Sequence, residues 1–193
     1  TQSDVLNEAG VLYMKTKKWE DAARMFERRW HVDTSAVGAY INYAQCMIVL
    51  EKFDNAAAAL VQAISRNPEY VPAYTNLGIA YLQMKDFPKA RSTFEQVVKV
   101  VDTNVVKYKK DLAQAHRYIG LALMLDKKWP DAVESLRRSI DLEPKDENTL
   151  LWMAQGLQNA QKWDEAIKYY KEVLKINKSN ELAKKGLKDL EGN

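Results

Sequence analysis

The stretch WEDAARMF, residues 19–26, decides the fold, because its pattern returns four more times along the chain. An aromatic residue opens the pattern, an alanine follows three positions later, and a large apolar residue comes four positions after the alanine. The alanines are Ala22, Ala56, Ala90, Ala132 and Ala166, at intervals of 34, 34, 42 and 34 residues. A fixed period of this length predicts a solenoid of stacked helical units.

Each unit contains two patterns with the spacing of an amphipathic α-helix. When the alanine is numbered position 20 of its unit, apolar residues recur around positions 4, 7, 8 and 11, and again at positions 17, 20, 24 and 27. Residues three and four apart share one face of a helix, so each unit is predicted to be an antiparallel pair, helix A then helix B. A glycine or alanine at position 8 lets the helices approach closely, and the alanine at position 20 is interpreted as the reciprocal notch. The position 8 residues are Gly10, Ala44, Gly78, Gly120 and Ala154.

The five prolines support these helix boundaries independently. Pro72, Pro88 and Pro130 lie in the first turn of a predicted helix, where a backbone N–H is not needed. Pro68 and Pro144 follow the end of a B helix. Taken together, these positions resemble the tetratricopeptide repeat (TPR) family. The resemblance implies an all-α fold, a right-handed α-solenoid of antiparallel helix pairs, with five repeats and a C-terminal capping helix.

The resemblance organises residues 1–193 as a single TPR solenoid. The repeats are expected at residues 3–36, 37–70, 71–104, 113–146 and 147–180, with an eight-residue extension of the third to residue 112 and a capping helix at 181–190. TPR proteins often carry glycine at position 15, between the two helices, but this chain has Lys17, Glu51, Lys85, Lys127 and Gln161. These departures concern the geometry of the turn and leave the fold prediction unchanged.

The extension predicts a fourth A helix lengthened at its start by about two turns, with Thr103 or Asn104 as its N-cap. Two interpretations of this segment stay open. It is either a solvated protrusion or a surface that meets an acidic partner. We call its first residues the basic hook: Lys107, Tyr108, Lys109 and Lys110.

Composition and motifs point away from catalysis. The formal net charge of +3 is too small for the strongly basic face typical of nucleic-acid binding, so no nucleic-acid partner is expected. The two histidines have no further ligand at metal-binding spacing, Cys46 lies in an apolar stretch, and the seven glycines form no phosphate-binding loop. We therefore predict a non-enzymatic protein without a cofactor. Direct membrane insertion is not expected, because no apolar run approaches 18 residues.

The sequence does not assign a compartment. The chain begins at Thr1 without a methionine, and we interpret it as a fragment of a longer protein or a mature form. A helical protein with one cysteine is compatible with either the cytoplasm or the periplasm.

Most aromatic residues are predicted to pack in the interior. Position 17 places Trp19, Trp129 and Trp163 in the core, and the same interpretation applies to Trp30 at a helix interface. His116 stands at position 4, an inter-helix packing position. For Trp152, at position 6, core packing and ligand contact both stay open.

The resemblance implies a peptide-binding groove, because the A helices of TPR proteins line a concave face. Its candidate residues are Asn42, Gln45, Thr75, Asn76, Ile79, Gln83, Arg117, Tyr118, Leu121, Trp152 and Gln155. The carboxamides could pair with the backbone of an extended peptide, and the apolar members could hold its side chains. Arg117 would select an acidic residue on the partner. The alternative interpretation is that some of these residues merely pack between adjacent A helices.

One TPR subclass grips the C-terminal carboxylate of Hsp70 or Hsp90 chaperones with a clamp of cations and asparagines. Asn42 and Asn76 match its middle element, the asparagine at position 6, but its lysines at positions 2 and 5 and its arginine at position 6 are absent. Without cations a carboxylate is poorly held, so this co-chaperone role is not expected. The first hypothesis is an adaptor that binds an extended peptide or helix of a protein partner. The alternative is a structural module that forms a homo-oligomer through its N-terminal repeat or its long fourth A helix.

Overall fold

Helices alone build the part of the chain that the structure describes. The computed structural model describes residues 1–101 and 108–192, and within these ranges it contains eleven α-helices and no strand. In chain order they are α1 (Gln2–Lys15), α2 (Trp19–Val32), α3 (Val37–Val49), α4 (Phe53–Arg66), α5 (Val71–Gln83), α6 (Phe87–Val101), α7 (Lys109–Leu125), α8 (Trp129–Leu142), α9 (Glu147–Asn159), α10 (Trp163–Ile176) and α11 (Glu181–Glu191). The predicted all-α class, with helix pairs followed by a capping helix, is confirmed.

Two compact units divide the chain, and the division falls inside α6. Unit 1 is Thr1–Thr93 and unit 2 is Phe94–Asn193. Helices α3, α5 and α9 begin at Val37, Val71 and Glu147, the residues at which the sequence places repeat starts. The arrangement of all five repeats as one continuous solenoid stays a prediction.

The recurring positions form the interior of the helix pairs. All five alanines at position 20 are fully buried. A Cβ atom on Gly10 would lie 2.7 Å from ring carbons of Phe26, and one on Gly120 would lie 2.6 Å from Cγ of Leu136. Position 8 is therefore small because the large side chain at position 24 fills the space against it. The carbonyl oxygen of Ala132, at position 20, also lies 3.3 Å from the Gly120 Cβ position, so the alanine and the large side chain face the same small residue.

Every turn from an A helix to its B helix passes through a residue in the left-handed conformation. The five residues at position 15 have φ angles of 57–61°: Lys17, Glu51, Lys85, Lys127 and Gln161. In the first turn the backbone N–H of Lys17 donates to the carbonyl oxygen of Met14, and that of Lys18 donates to Tyr13. These are the two hydrogen bonds of a Schellman motif, and they recur in the other four turns. The chain thus builds a glycine-type turn five times without glycine.

The fourth A helix, α7, is longer than its counterparts by one turn rather than two. It starts at Lys109 with Tyr108 as N-cap and has 17 residues, against 13 in α3, α5 and α9. Asp111 lies in its first turn and favours this start, because the helix dipole stabilises a carboxylate there. The N-cap candidates Thr103 and Asn104 lie outside the described residues.

Trp163, which was expected in the interior, and Leu182 of the capping helix both lie at the surface. Trp163, the first residue of α10, is 48% exposed, whereas Trp19 and Trp129 are partly buried. Leu182 of α11 is 57% exposed. Helix α11 buries its small residues instead, because close contact with α10 requires a residue without a bulky side chain.

Candidate functional site

A cavity of about 500 Å³ opens in unit 2 beside helices α7, α9 and α11. We call it the unit 2 cavity. Its volume lies within the range of about 300–1,000 Å³ that is typical of ligand-binding clefts. Apolar and carboxamide side chains make up most of its lining: Leu121, Met124, Leu125, Trp129, Trp152, Gln155, Gln158, Asn159, Tyr170, Leu182, Lys185, Gly186 and Asp189. Such a lining suits a peptide, which combines apolar side chains with backbone donors and acceptors.

Tyr170 positions one wall of the unit 2 cavity. A Cβ atom on Gly186 would lie only 2.3 Å from Cζ of Tyr170, so the glycine lets α11 lie directly on the ring. The Tyr170 hydroxyl donates to Oε1 of Gln158 at 2.6 Å. Burial raises the pKa of Tyr170 to about 12, so the hydroxyl keeps its proton at neutral pH. The bond fixes the Gln158 carboxamide and leaves its nitrogen as a donor for a bound ligand.

Three of the predicted groove residues come together in this cavity. Leu121 of α7 and both Trp152 and Gln155 of α9 line it. Trp152 also packs against the hydrophobic core of unit 2, so it combines core packing with a surface on the cavity. Tyr118 lies elsewhere and stacks on Phe94, with ring centroids 5.0 Å apart and planes 15° from parallel.

The sequence did not predict that α11 would contribute to the cavity. Leu182, Lys185 and Asp189 all line it from this helix. They are spaced three and four residues apart and therefore share one helix face, next to Gly186, which also lines the cavity. That spacing was the signal available in the sequence.

Arg117 lies outside the unit 2 cavity and already has an acidic partner within the chain. Its Nη1 lies 2.8 Å from Oδ2 of Asp146, the N-cap residue of α9. Oδ1 of Asp146 accepts hydrogen bonds from the backbone N–H and the hydroxyl of Thr149, both at 2.7 Å. Burial alone would raise the pKa of Asp146, but the bonds from Thr149 and the charge of Arg117 hold it below its ordinary value. Within the chain this charge ties α7 to α9, and the expectation that Arg117 selects a partner's acidic residue stays a prediction.

A second cavity in unit 2, of about 430 Å³, joins two predictions that the sequence treated separately. Arg117 and Lys110, a member of the basic hook, line it together, and Lys145 adds a third cation. The full lining is Lys110, Ala113, Gln114, Arg117, Ser139, Glu143, Lys145, Asp146 and Thr149. Lys109 is exposed and Tyr108 is partly buried, while Lys107 lies outside the described residues.

The groove candidates of unit 1 lie on α3 and α5. Gln83 is exposed, and the others are partly buried: Asn42, Gln45, Thr75, Asn76 and Ile79. The side-chain amide of Asn76 donates to the carbonyl oxygen of Pro72 at 2.8 Å, so one of its donors serves its own helix. The cavity described in unit 1, of about 650 Å³, lies between α2 and α4 and is lined by other residues.

Burial shifts the pKa of two side chains that the sequence analysis considered for chemistry, Cys46 and His116. Cys46 is fully buried, and burial raises the pKa of its thiol to about 11, so it stays protonated at neutral pH. Burial lowers the pKa of His116, and the nearby charge of Arg138 adds to this shift. Among the described residues no cluster of three or more histidine, cysteine or acidic side chains is placed to hold a metal ion. In the same part of the chain no helix is long and apolar enough to cross a membrane.

Comparison with known proteins gives the family. Two family models, both described as tetratricopeptide repeat, match residues 50–115 and 148–180, together about half of the chain. The chain belongs to the tetratricopeptide repeat family. TPR folds generally mediate protein–protein interaction and typically serve as scaffolds rather than enzymes, because their stacked repeats present extended binding surfaces.

A curated relative and two solved structures illustrate this TPR likeness. E3 ubiquitin-protein ligase CHIP of Arabidopsis thaliana is 32% identical over 93 residues, which cover 48% of this chain and 30% of the ligase. The chain therefore spans less than a third of that protein. MamA of Desulfovibrio magneticus RS-1 has a TM-score of 0.80 at 15% identity, covering 94% of this chain and 98% of MamA. YrrB, described as a TPR protein with an unusual peptide-binding site, has a TM-score of 0.73 at 15% identity, covering 95% and 90%. At such identities the two structures show the TPR fold alone.

Proposed function

We propose that this chain is a non-enzymatic adaptor that binds an extended peptide or a single helix of a partner protein in the unit 2 cavity. The observation that carries the proposal is the convergence of Leu121, Trp152 and Gln155 on one cavity of peptide-binding size. The description of YrrB as a TPR protein with a peptide-binding site gives a precedent for this use of the fold.

The chemistry of the lining defines the partner. Leu125 and Leu182 are exposed by 46% and 57%, and both line the cavity, so they offer apolar surface that a bound side chain would cover. Gln155 and Gln158 supply hydrogen-bonding groups for a peptide backbone. The partner segment should therefore carry a large apolar anchor flanked by polar residues. A terminal carboxylate is not needed for binding.

A pair of matched variants tests this proposal. Peptides selected from a display library against the wild-type chain are labelled, and their affinities are measured by fluorescence anisotropy. Replacing Leu125 and Leu182 together by serine should weaken binding about tenfold or more, because apolar anchors at the centre of an interface carry most of its energy. The control is Ile176→Ser, since Ile176 is 45% exposed in the same unit but is not part of the cavity lining.

The two sets of variants also separate binding from folding. All three side chains concerned are exposed, so thermal denaturation followed by circular dichroism should show small and similar changes. Equal affinity of the double variant and the control for every selected peptide would place the binding site away from this cavity.

An acidic residue of the partner would bind at the second cavity of unit 2 rather than to Arg117 alone. Lys110 and Lys145 line that cavity and are exposed, whereas Arg117 is paired with Asp146. Replacing Lys110 and Lys145 by glutamine should lower the affinity for an acidic peptide and reduce the dependence of that affinity on salt. An unchanged salt dependence would leave these lysines as solvated surface.

A second candidate function is self-assembly through α1. Val5 and Leu12, seven residues apart on one helix face, are exposed by 64% and 61%. If this face joins two copies, light scattering should show a mass that rises with concentration, and Val5→Ser with Leu12→Ser should abolish the rise. A constant monomer mass at all concentrations would exclude this function. The peptide-binding measurements above are independent of that result.

A further inference from the structure

The largest cavity described in unit 1 is a channel between α2 and α4, with α3 beneath it. Its volume is about 650 Å³, compared with about 500 Å³ for the unit 2 cavity. We call it the unit 1 channel. Its lining is Trp30, His31, Thr34, Tyr40, Tyr43, Asp54, Asn55, Ala58, Ala59, Gln62 and Arg66. None of these residues belongs to the predicted groove, although Tyr40 and Tyr43 lie on α3, the helix that also carries Asn42 and Gln45 of that groove.

The floor of the unit 1 channel is a cluster of aromatic rings. Trp30 stacks on Tyr40 with centroids 4.5 Å apart and planes 10° from parallel, and it meets Tyr43 edge to face at 4.8 Å. Tyr40 is buried, whereas Trp30 and Tyr43 are only partly buried and keep ring surface in the channel. Rings held by such contacts lose little freedom on binding, and they give large contact areas to apolar side chains.

The wall formed by α4 has room and hydrogen-bonding groups. Ala58 and Ala59 carry only a methyl group each, so the channel is wide where they lie. Asn55 and Gln62 flank them, are seven residues apart, and are both exposed. An extended segment presents unpaired backbone N–H and C=O groups along its length, whereas a helix has already paired most of its own. Two carboxamides along this wall therefore fit an extended segment better than a helix.

Opposite charges mark the two ends of the channel. Asp54 lies near the start of α4 and Arg66 ends it, so they are about 18 Å apart along the helix. The guanidinium of Arg66 lies 4.7 Å from the centre of the Tyr40 ring, and its Nε donates to the carbonyl oxygen of Thr34 at 3.2 Å. A strand rises about 3.3 Å per residue, so about six residues of an extended chain span this distance.

We propose that the unit 1 channel is a second binding site, separate from the unit 2 cavity. Its occupant is an extended segment of a partner protein, about six residues long. Proline or large aliphatic residues of this segment pack on Trp30 and Tyr43, in the way that aromatic-lined grooves hold extended proline-rich peptides. A basic residue at one end pairs with Asp54, and an acidic residue at the other end pairs with Arg66. The chain would then join two different segments, one in each unit.

The test uses synthetic labelled peptides whose charges can be varied. Each peptide has two charged positions five residues apart, with the residues between them randomised over proline, leucine, isoleucine, valine and tyrosine. One library carries Lys and Glu at the two positions, a second carries Lys at both, and a third carries Glu at both. Anisotropy should show the tightest binding for the library of mixed charge, by about threefold to fivefold over either of the others, as expected for exposed ion pairs.

Changing the protein's charges should change the preferred library. Asp54→Lys should make the library with two glutamates the best ligand, because both ends of the channel are then basic. Arg66→Glu should instead favour the library with two lysines. Arg66 also hydrogen-bonds the backbone, so Arg66→Glu could fail to fold. If circular dichroism shows that this variant is unstable, the result for Asp54→Lys alone decides the charge test.

A blocking variant and its matched control complete the experiment. Ala58→Arg fills the channel from an exposed position and should reduce binding about tenfold or more, whereas Val61→Arg, on the same helix but outside the lining, should leave it unchanged. The double serine variant of Leu125 and Leu182 should bind these peptides like the wild type. The proposal is overturned if no library member prefers the wild type to Ala58→Arg, or if the preferred charges do not follow Asp54→Lys.

Discussion

Unit 1 and unit 2 are built from the same repeat pattern, but different helices line their cavities. In unit 1 the channel lies between α2 and α4, the second helices of two pairs, whereas in unit 2 the cavity lies beside α7, α9 and α11. The alanine at position 20 is fully buried in both units. The difference comes from outward residues such as Ala58 in unit 1 and Leu182 in unit 2. Repeated interior positions thus set the fold, and unrepeated surface positions shape the cavity of each unit.

The largest expected effect tests whether the two interiors are equivalent. Gly10→Ala in unit 1 and Gly120→Ala in unit 2 would each place a Cβ atom under 3 Å from a fully buried side chain. Overpacking of this kind should lower the free energy of unfolding by about 1–3 kcal/mol for each variant. Urea denaturation followed by circular dichroism measures both.

The control for these variants is Gly156→Ala, in the interior of α9. Its new Cβ would lie 3.4 Å from Cγ2 of Val133, which is an ordinary contact. The change should therefore stabilise the chain by about 0.5–1 kcal/mol, the gain of alanine over glycine within a helix. If Gly10→Ala and Gly120→Ala raised the free energy of unfolding as much as the control does, the inference that positions 8 and 24 are closely packed would be wrong.

A smaller effect, a gain in stability, is expected at the turns between the helices of a pair, which have the same conformation in both units. Lys17 and Lys127 have φ angles of 58° and 59°, where a non-glycine residue costs about 1–2 kcal/mol. Glycine removes that cost in the folded chain, but it also raises the conformational entropy of the unfolded chain, which opposes folding. The net effect of each Lys→Gly change should be to raise the free energy of unfolding by about 0.5–1 kcal/mol. Lys18→Gly is the matched control, because Lys18 follows the turn with a negative φ of −90°.

The two turn variants should shift the urea midpoint upward by similar amounts, while Lys18→Gly should not raise it. A lower midpoint for Lys17→Gly and Lys127→Gly would mean that these lysine side chains make contacts worth more than the strain of the turn. A gain in only one unit would show that the turns are not equivalent.

The sequence predicted the helix pairs because the interior repeats, and a repeated pattern reports a repeated environment. It did not predict that Arg117 is paired, because Asp146 lies 29 residues away and only the packing of α7 against α9 brings them together. The unit 1 channel was missed for a related reason. Trp30 was interpreted as a packing residue, which is correct for the ring face that lies on Tyr40. The open space beside its ring depends on Ala58 and Ala59 of α4, and the spacing within α2 does not report them.

The smallest expected effect concerns position 4, where the units differ in chemistry. Unit 2 has His116 there, whereas unit 1 has Leu6, Tyr40 and Tyr74. Burial, together with the charge of Arg138, lowers the pKa of His116 below its ordinary value of 6.5. At a pH between the lowered pKa of His116 in the folded chain and its ordinary pKa in the unfolded chain, the unfolded chain binds more protons. The free energy of unfolding therefore falls as the pH drops through 6.5. Above that pH the two states carry the same charge at this residue, and the contribution stays constant.

His116→Leu should therefore remove part of the loss of stability on acidification, since leucine occupies the same position in the first and last repeats. Urea midpoints measured at several pH values between 5 and 8 should fall more steeply for the wild type than for this variant. The ion pair of Asp146 does not interfere, because its pKa is lowered from 3.8 and its contribution is lost only at more acidic pH. Parallel curves for wild type and His116→Leu would mean that the imidazole is as well solvated in the folded chain as in the unfolded one, and the pH response would then lie outside position 4.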